Sequence, residues 1–341
     1  MIALGIETSC DDTSVAVVDD KRNIISNITI SQLIHQEFGG VVPEVASRCH
    51  AQIIDDVIIK SLQKSKIGFE DLSLVSATAG PGLIGGLIVG LMSAKTIASI
   101  YKKPFIAVNH LEAHSLTCRL TDNIQFPYLL LLVSGGHCQI ILVKDINNYQ
   151  KIGQTLDDAS GEAFDKVARM LGLGYPGGPI IEKMAQKGDK DRFNLPKPLI
   201  RDKNNPYNFS FSGLKTAVRL LIEKIKSKNQ SLTNQDIADI CASFQNNVLN
   251  IFLNRLHNVL TNIDLNIENI VIAGGVAANR FIYNNIKKDM INNFNINVIA
   301  PPIDLCTDNA AMVAWVAIEK YRHNLTDSLN FKPKARWDFT K

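Results

Sequence analysis

Long apolar runs are missing from the 341 residues: no uninterrupted stretch approaches the ~20 that a bilayer span requires, so no membrane partner is expected. No leader is expected either. Met1 runs straight into Ile2-Ala3-Leu4-Gly5-Ile6, with no basic segment, extended apolar core or cleavage pattern, so a secretory signal is not expected. Cysteine pairing signals are also lacking. Cys10, Cys49, Cys118, Cys138, Cys241 and Cys306 are scattered with no C-x-x-C pair, the usage of a reducing compartment, and free, mostly buried thiols in a cytoplasmic protein are expected. Nor is there a strong charge imbalance. The net charge of +3, from 36 Lys and Arg against 33 Asp and Glu, lacks the footprint of a dedicated nucleic-acid coat and neither demands nor excludes an RNA partner.

What is present is a globular composition, 46% hydrophobic and 20% charged, in a chain long enough for two medium domains. Short apolar runs alternate with helical patterns, which reads as α/β. Three of those runs end alike. Ile2 to Ile6 leads into Glu7-Thr8-Ser9-Cys10-Asp11-Asp12-Thr13 before Ser14 to Val18 resumes a strand, and Leu129 to Val133 leads into Ser134-Gly135-Gly136-His137 before Gln139 to Val143 does the same. Ile270 to Ala273 leads into Gly274-Gly275-Val276-Ala277-Ala278-Asn279, where a helix is expected to begin. The likeness of the first two hairpins points to a duplicated lobe, with two lobes facing across a cleft. We divide the chain at 1–120 and 121–341, the second lobe carrying a helical insertion and its last helix packing back on the first.

Other segments complete the outline. Gly80 to Gly86 follows a strand-like run and opens an apolar helix over roughly Leu87 to Tyr101. Lys187 to Pro206, polar and interrupted by Pro196, Pro198 and Pro206, reads as an exposed loop. Leu214 to Lys226 and Asn234 to Leu260 read as amphipathic helices, and the basic tail Asn330 to Lys341, with Trp337, as a surface strand or arm.

The sharpest chemical pattern is Asn109-His110-Leu111-Glu112-Ala113-His114. With Asn109 as N-cap the histidines fall at i and i+4 on one helix face, a spacing that lets two imidazoles hold one metal. Two such histidines are by themselves more often ordinary surface or capping residues. Asp308, at an expected helix start after Pro301-Pro302, shifts the balance by offering a third, oxygen ligand, and two nitrogens with one carboxylate leave open positions of the catalytic kind. A zinc-protease helix carries its general-base Glu directly after the first His; Leu111 stands there.

Ser134-Gly135-Gly136-His137 allows successive amides to converge on phosphate oxygens, although a lone Gly-Gly is more often a plain tight turn. A helix beginning near Gly274-Gly275 adds a positive dipole end. Asp165 in Phe164-Asp165-Lys166 offers a ribose acceptor, and Gly178 in Tyr175-Pro176-Gly177-Gly178-Pro179 a close approach; on spacing alone, a solvated Asp and a Pro-Gly turn are the better readings. Ser212-Gly213-Leu214-Lys215-Thr216 lacks the upstream glycines of a phosphate-binding loop.

Taken together, these segments resemble the tRNA N6-adenosine threonylcarbamoyltransferases, formerly described as sialoglycoprotein endopeptidases. The match runs in order through Gly5 to Thr13, Gly39 to Glu44 with Ala46-Ser47-Arg48, Gly80 to Gly86, Asn109 to His114, Val133 to His137, Gly161 to Lys166, Tyr175 to Pro179, Phe209 to Thr216, Gly274 to Arg280 and Asp308 to Ala311. The resemblance implies two duplicated actin-like α/β lobes around a nucleotide cleft. It implies transfer of threonylcarbamoyl from threonylcarbamoyl-AMP to N6 of adenosine 37, in tRNAs reading codons that begin with A. It places one divalent metal, Fe(2+) or Zn(2+), on His110, His114 and Asp308. The donor falls to Val133, Ser134, Gly135, Gly136, His137, Asp165, Gly178 and Asn279, and to Glu182, where many relatives have Asp. Asp11 becomes a catalytic candidate. The partners implied are the tRNA anticodon loop, a noncatalytic paralogue of the same fold and a small P-loop ATPase. The rival readings are a metalloendopeptidase, a small-molecule kinase of the same fold, which needs no two-His metal site, and a noncatalytic scaffold, which would have lost the three ligands.

Overall fold

A computed structural model describes residues 1–38 and 40–340; Gly39, at the head of the Gly-Gly-Val-Val-Pro-Glu segment, and Lys341, at the end of the tail, lie outside the described residues. The chain forms two compact units, Met1–Ile124 with Pro301–Lys341, and Gln125–Ala300.

In chain order, the first unit holds β1 (Ile2–Glu7), β2 (Asp12–Asp19), β3 (Ile24–Ser31), α1 (Pro43–Ser65), β4 (Leu74–Gly80), α2 (Ile84–Ile100), β5 (Phe105–Asn109) and α3 (His110–Thr121). The second holds β6 (Tyr128–Val133), β7 (Cys138–Asp145), β8 (Asn148–Gln154), α4 (Ser160–Met170), α5 (Gly177–Ala185), α6 (Ser212–Asn229), α7 (Asn234–Asn262), β9 (Asn269–Ala273), α8 (Arg280–Phe294) and β10 (Asn297–Ile299). The chain then returns to the first unit with α9 (Ile303–Cys306) and α10 (Ala310–Arg322).

The two sheets share one topology. Strand order is β3-β2-β1-β4-β5 in the first and β10-β9-β6-β7-β8 in the second. Each begins with an antiparallel meander and adds two parallel strands beside its first strand. Equivalent order and direction in both sheets is the duplication that the paired hairpins predicted.

β1 is apolar up to its terminal Glu7 because both faces of its sheet are covered. Leu4 and Ile6 join Val15, Val17, Ile54, Leu91 and Ala94 in the core beneath α1 and α2. Gly5 points to the opposite face, against α10, where a Cβ would overlap the carbonyl oxygen of Ala310. α10 is buried from Ala310 to Lys320, including Trp315, so it packs as a central element. That burial is why Pro301 onward groups with the first unit. The boundary expected after residue 120 falls after Ile124, since α3 continues through Thr121.

The tail folds as an arm without a strand of its own. Lys334 N donates to the Ala79 carbonyl (2.7 Å) and Gly82 N to that of Ala335 (3.3 Å), while Trp337 packs on Phe331. Gly80 lies under this crossing with φ +145°, and a Cβ there would overlap the Lys334 carbonyl. Among the described residues all six cysteines are free and four are buried, and no helix is long and apolar enough to cross a membrane.

Candidate functional site

β5 ends at Asn109, whose side-chain oxygen accepts from Leu111 N (2.9 Å) and Glu112 N (3.3 Å), so α3 starts as the N-cap predicted. A second bond, from Asn109 Nδ2 to the Trp337 carbonyl (3.0 Å), ties this corner to the tail. One turn apart on α3, the His110 and His114 rings meet edge to face with centroids 4.7 Å apart. Asp308, just before the Asn309 cap of α10, approaches both: its Oδ1 lies 3.1 Å from His114 Nε2 and 3.5 Å from His110 Nε2. The three donor atoms lie within 4.8 Å of one another.

Behind His110 stands a residue to which the sequence pattern gave no role. Glu7, fully buried at the end of β1, has its Oε2 at 3.1 Å from His110 Nδ1. Thr78 Oγ1 donates to the same oxygen (2.5 Å), and Ser9 N to Oε1 (2.6 Å). Burial would raise the Glu7 carboxyl, but the His110 charge and these hydrogen bonds hold it below the usual range. Burial would likewise lower His110; Asp308 and Glu7 outweigh it and push the imidazole up to about 9. Asp308, with both histidines beside it, is held well below an ordinary carboxylate despite its burial. An acid ending an otherwise apolar strand was the available signal for Glu7, because a buried carboxylate requires partners.

Glu112 faces the other way, pairing with Lys320 of α10 at 2.6 Å in a buried ion pair, so it offers no general base beside His110. Asp11 sits in the β1–β2 turn, where its carbonyl accepts from Gln32 N, and no hydrogen bond joins its carboxylate to the histidine set among the described residues. Its neighbour Asp12 is pushed up to about 6 by burial, with the Asp308 and Asp11 charges adding to it.

In the second unit, the β6–β7 turn runs from Val133 to His137. Ser134 closes it: its amide donates to the His137 carbonyl (2.8 Å), and its hydroxyl accepts from His137 N (3.1 Å). No protein acceptor among the described residues takes the Gly135 or Gly136 amide. A Cβ at either glycine would meet open space, as it would at Gly178 and Gly275. Neither φ nor internal crowding therefore demands glycine at these positions, which leaves room for a ligand to approach the backbone.

Asp165 on α4 accepts from Gly177 N (2.8 Å) and so fixes the start of α5, beside Gly178; burial raises its carboxyl. The helix expected at Gly274-Gly275 starts later. Those glycines lead into a single 3-10 turn, Gly275–Ala278, and α8 begins at Arg280 with Asn279 as cap. Asn279 Oδ1 accepts from Ile282 N (3.0 Å) and its Nδ2 donates to Gln245 (2.8 Å). Glu182 Oε1 accepts from Arg280 N (2.8 Å) and Phe281 N (3.4 Å), so the positive end of α8 already faces a carboxylate. Ser212 to Thr216 is no phosphate loop: the amides of Phe211 and Ser212 at the start of α6 meet Asp157, and Lys215 pairs with Asp158 at 2.5 Å.

Solved structures define the class first. Component A of the (R)-2-hydroxyglutaryl-CoA dehydratase of Acidaminococcus fermentans aligns over 95% of this chain and 99% of its own, with TM-score 0.54 and 14% identity. HypF of T. kodakarensis aligns over 95% of this chain and 48% of its own, with TM-score 0.59 and 14% identity. The fold is the actin-like ATPase fold.

Sequence relatives narrow that class. The family model described as tRNA N6-adenosine threonylcarbamoyltransferase matches residues 23–315. Proteins of that name from Wolbachia pipientis wMel (49% identical, 98% of each chain) and Rickettsia rickettsii strain Sheila Smith (51% identical, 98% of this chain and 97% of that one) align along nearly the whole length. The chain belongs to the tRNA N6-adenosine threonylcarbamoyltransferase family.

Proposed function

We propose that this chain forms N6-threonylcarbamoyladenosine in tRNA, taking the acyl group from threonylcarbamoyl-AMP, with a divalent cation held by His110, His114 and Asp308. In the transfer the adenine N6 bonds to the carbamoyl carbon, the mixed anhydride C–O bond breaks, AMP leaves and the amine gives up a proton. The observation that carries the reading is the convergence of two imidazole Nε2 atoms on one carboxylate within 4.8 Å. That donor set fits Fe(2+) or Zn(2+) and leaves coordination positions open. When bound, the cation supplies a Lewis acid for an oxygen of the acyl donor.

The chain's own residues supply the rest. Glu7 accepts from His110 Nδ1, so Nε2 is the atom left to ligate. The Gly135 and Gly136 amides offer donors to an anionic phosphate, supported by the open space around them. Asp165 holds the turn that presents Gly178, and Asn279 lies at the head of α8. The attacking exocyclic amine is a weak nucleophile, so orientation of an anticodon-loop base contributes heavily to rate. An adenylate donor and a tRNA acceptor, with the free thiols, fit a cytoplasmic enzyme. We also assign it a paralogous partner of the same fold and a small P-loop ATPase. Ile84, Ile88 and Met92, each about half exposed and four apart along α2, form an apolar stripe suited to such a paralogue.

The metal assignment is tested with His114→Ala and Asp308→Asn. Both are expected to lose bound metal by elemental analysis and to lose transfer while keeping a cooperative thermal transition. Full transfer by either variant would remove the triad from the mechanism. The endopeptidase alternative has no support in the site, since Glu112 is committed to Lys320.

A further inference from the structure

The charge balance of +3 conceals a strongly uneven distribution. Between Lys197 and Lys228 there are eight Lys and Arg against two acids, a net of +6, so the remainder of the chain is net negative. The segment comprises the end of the proline-rich loop and all but the last residue of α6. The two meet in space: Pro198 Cγ lies 3.4 Å from the position a Cβ would take on Gly213, in the first turn of α6.

The loop is anchored at both ends on α7. Arg192 pairs with Asp236 (2.7 Å) and Asp239 (2.5 Å), and Arg255 Nη1 donates to the carbonyls of Asn205 (3.2 Å) and Pro206 (2.8 Å). Between the anchors the backbone makes two turns, Ile200 N to the Lys197 carbonyl and Asp202 N to that of Leu199, and it borders a groove of about 580 Å³ lined in part by Asn194, Lys197 and Arg201. Lys197, Arg201 and Lys203 are exposed on it. On α6, Leu214, Val218 and Ile222 face the core, while Thr216, Leu220, Lys224 and Lys228 form an outer stripe with Lys226 nearby. At about 1.5 Å per residue α6 is roughly 27 Å long, so the loop and the far end of the stripe reach well-separated points along a polymer.

The acids bordering this face are already engaged. Asp157 accepts from Ser210, Phe211 and Ser212, Asp158 pairs with Lys166 and Lys215, and Asp236 and Asp239 hold Arg192. Asp202 accepts from Asn204 and Asn205 inside the loop, and Glu223 pairs with Arg219. By contrast, Lys197, Arg201, Lys203, Lys224, Lys226 and Lys228 have no acidic partner among the described residues. Behind them lies the buried Arg255, whose Nε and Nη2 have no hydrogen-bond partner among the described residues and whose charge is felt by Asp202. Complementing the helix dipole accounts for lysines in the last turn of α6 but not for three cations on a loop.

We propose that this face, from Lys197 to Lys203 and along the outer stripe of α6, receives the sugar-phosphate backbone of the tRNA substrate; the identity of the RNA rests on the function proposed above. Spaced, unpaired cations with no exposed aromatic platform suit phosphates rather than bases, so binding is salt-dependent and carries little sequence information.

The test uses the full chain, fluorescently labelled unmodified tRNA and two triple variants, Lys197→Gln/Arg201→Gln/Lys203→Gln and Lys224→Gln/Lys226→Gln/Lys228→Gln, with the combined six-fold variant. Affinity is measured by anisotropy over a salt series. The six-fold variant is expected to bind about tenfold or more weakly, its log–log salt slope flattening by about 0.7 to 0.9 for each phosphate it no longer neutralises. AMP affinity and melting temperature should stay near those of the parent, and Lys224→Arg/Lys226→Arg/Lys228→Arg should retain binding. In the transfer assay the tRNA KM should rise while kcat holds. Unchanged tRNA affinity and slope in the six-fold variant would overturn the proposal and leave the face to an acidic protein. Absence of transfer by the parent chain would instead count against the function itself.

Discussion

Glu7 illustrates how one buried residue organises the proposed metal site. Its carboxylate bonds His110, Thr78 and the Ser9 amide at once, so replacing it disturbs the ring orientation of His110 before anything else. Glu7→Gln keeps the shape and removes the charge. We expect metal affinity to fall about 10- to 100-fold, the range typical when a partner behind a metal ligand is removed. Metal-binding titration of the purified variant checks this, and unchanged affinity would show that Glu7 serves only the fold. At the same scale the histidine pair was legible from its spacing because the i, i+4 geometry of a capped helix is local. The third ligand, nearly two hundred residues away, could be suggested but not located, and Glu7 stood within a motif without a role because its partners come from β4 and α3.

Helix ends are where sequence reading and structure part most clearly. The Gly274-Gly275 pair suggested a helix start, yet the left-handed Gly274 (φ +92°) is followed by a 3-10 turn, and the cap passes to Asn279. Glu182 then closes α8 from another helix, a bond no local pattern could reveal. Glu182→Ala should therefore lower stability by about 0.5–1 kcal/mol through the helix end. A calorimetric scan with an AMP titration decides: a drop in AMP affinity without a stability change would make Glu182 a ligand-binding group instead. Asp157 does the same service for α6. Burial would raise its carboxyl, but the bonds from Ser210, Phe211 and Ser212 outweigh it and hold the group below its usual range. A depressed folded-state pKa gives stability that is present above the ordinary carboxylate pKa of about 3.9 and is lost as pH falls through the folded value. Asp157→Ala should cost about 1 kcal/mol at pH 7, and its melting temperature should converge on the parent's as the pH falls below the ordinary carboxylate range. A gap independent of pH would mean that the charge is not what matters.

Across the whole molecule, the duplication was readable because both hairpins and their polar turns recur in sequence, and both sheets follow from it. The grouping of α10 with the first unit is the work of tertiary packing. A helix buried along nearly its whole length has no face to leave in water, and Gly5 gives it a place on β1. The tail is held in the same way, so Gly80→Ala, with a positive φ and the Lys334 carbonyl in its path, should destabilise the chain by about 1–3 kcal/mol and expose Trp337, seen as a red shift in its emission. An unshifted spectrum and melting temperature would contradict that packing. Family membership and the convergence of His110, His114 and Asp308 lead to one activity, and that activity has one direct measurement. Labelled threonine is supplied with bicarbonate, ATP, an adenylate-forming enzyme, the proposed paralogue and P-loop ATPase and unmodified tRNA, with and without this chain. Label on an anticodon-loop adenosine is expected only when the chain is present; no label, with the same partners shown competent by a homologue, would contradict the assigned activity.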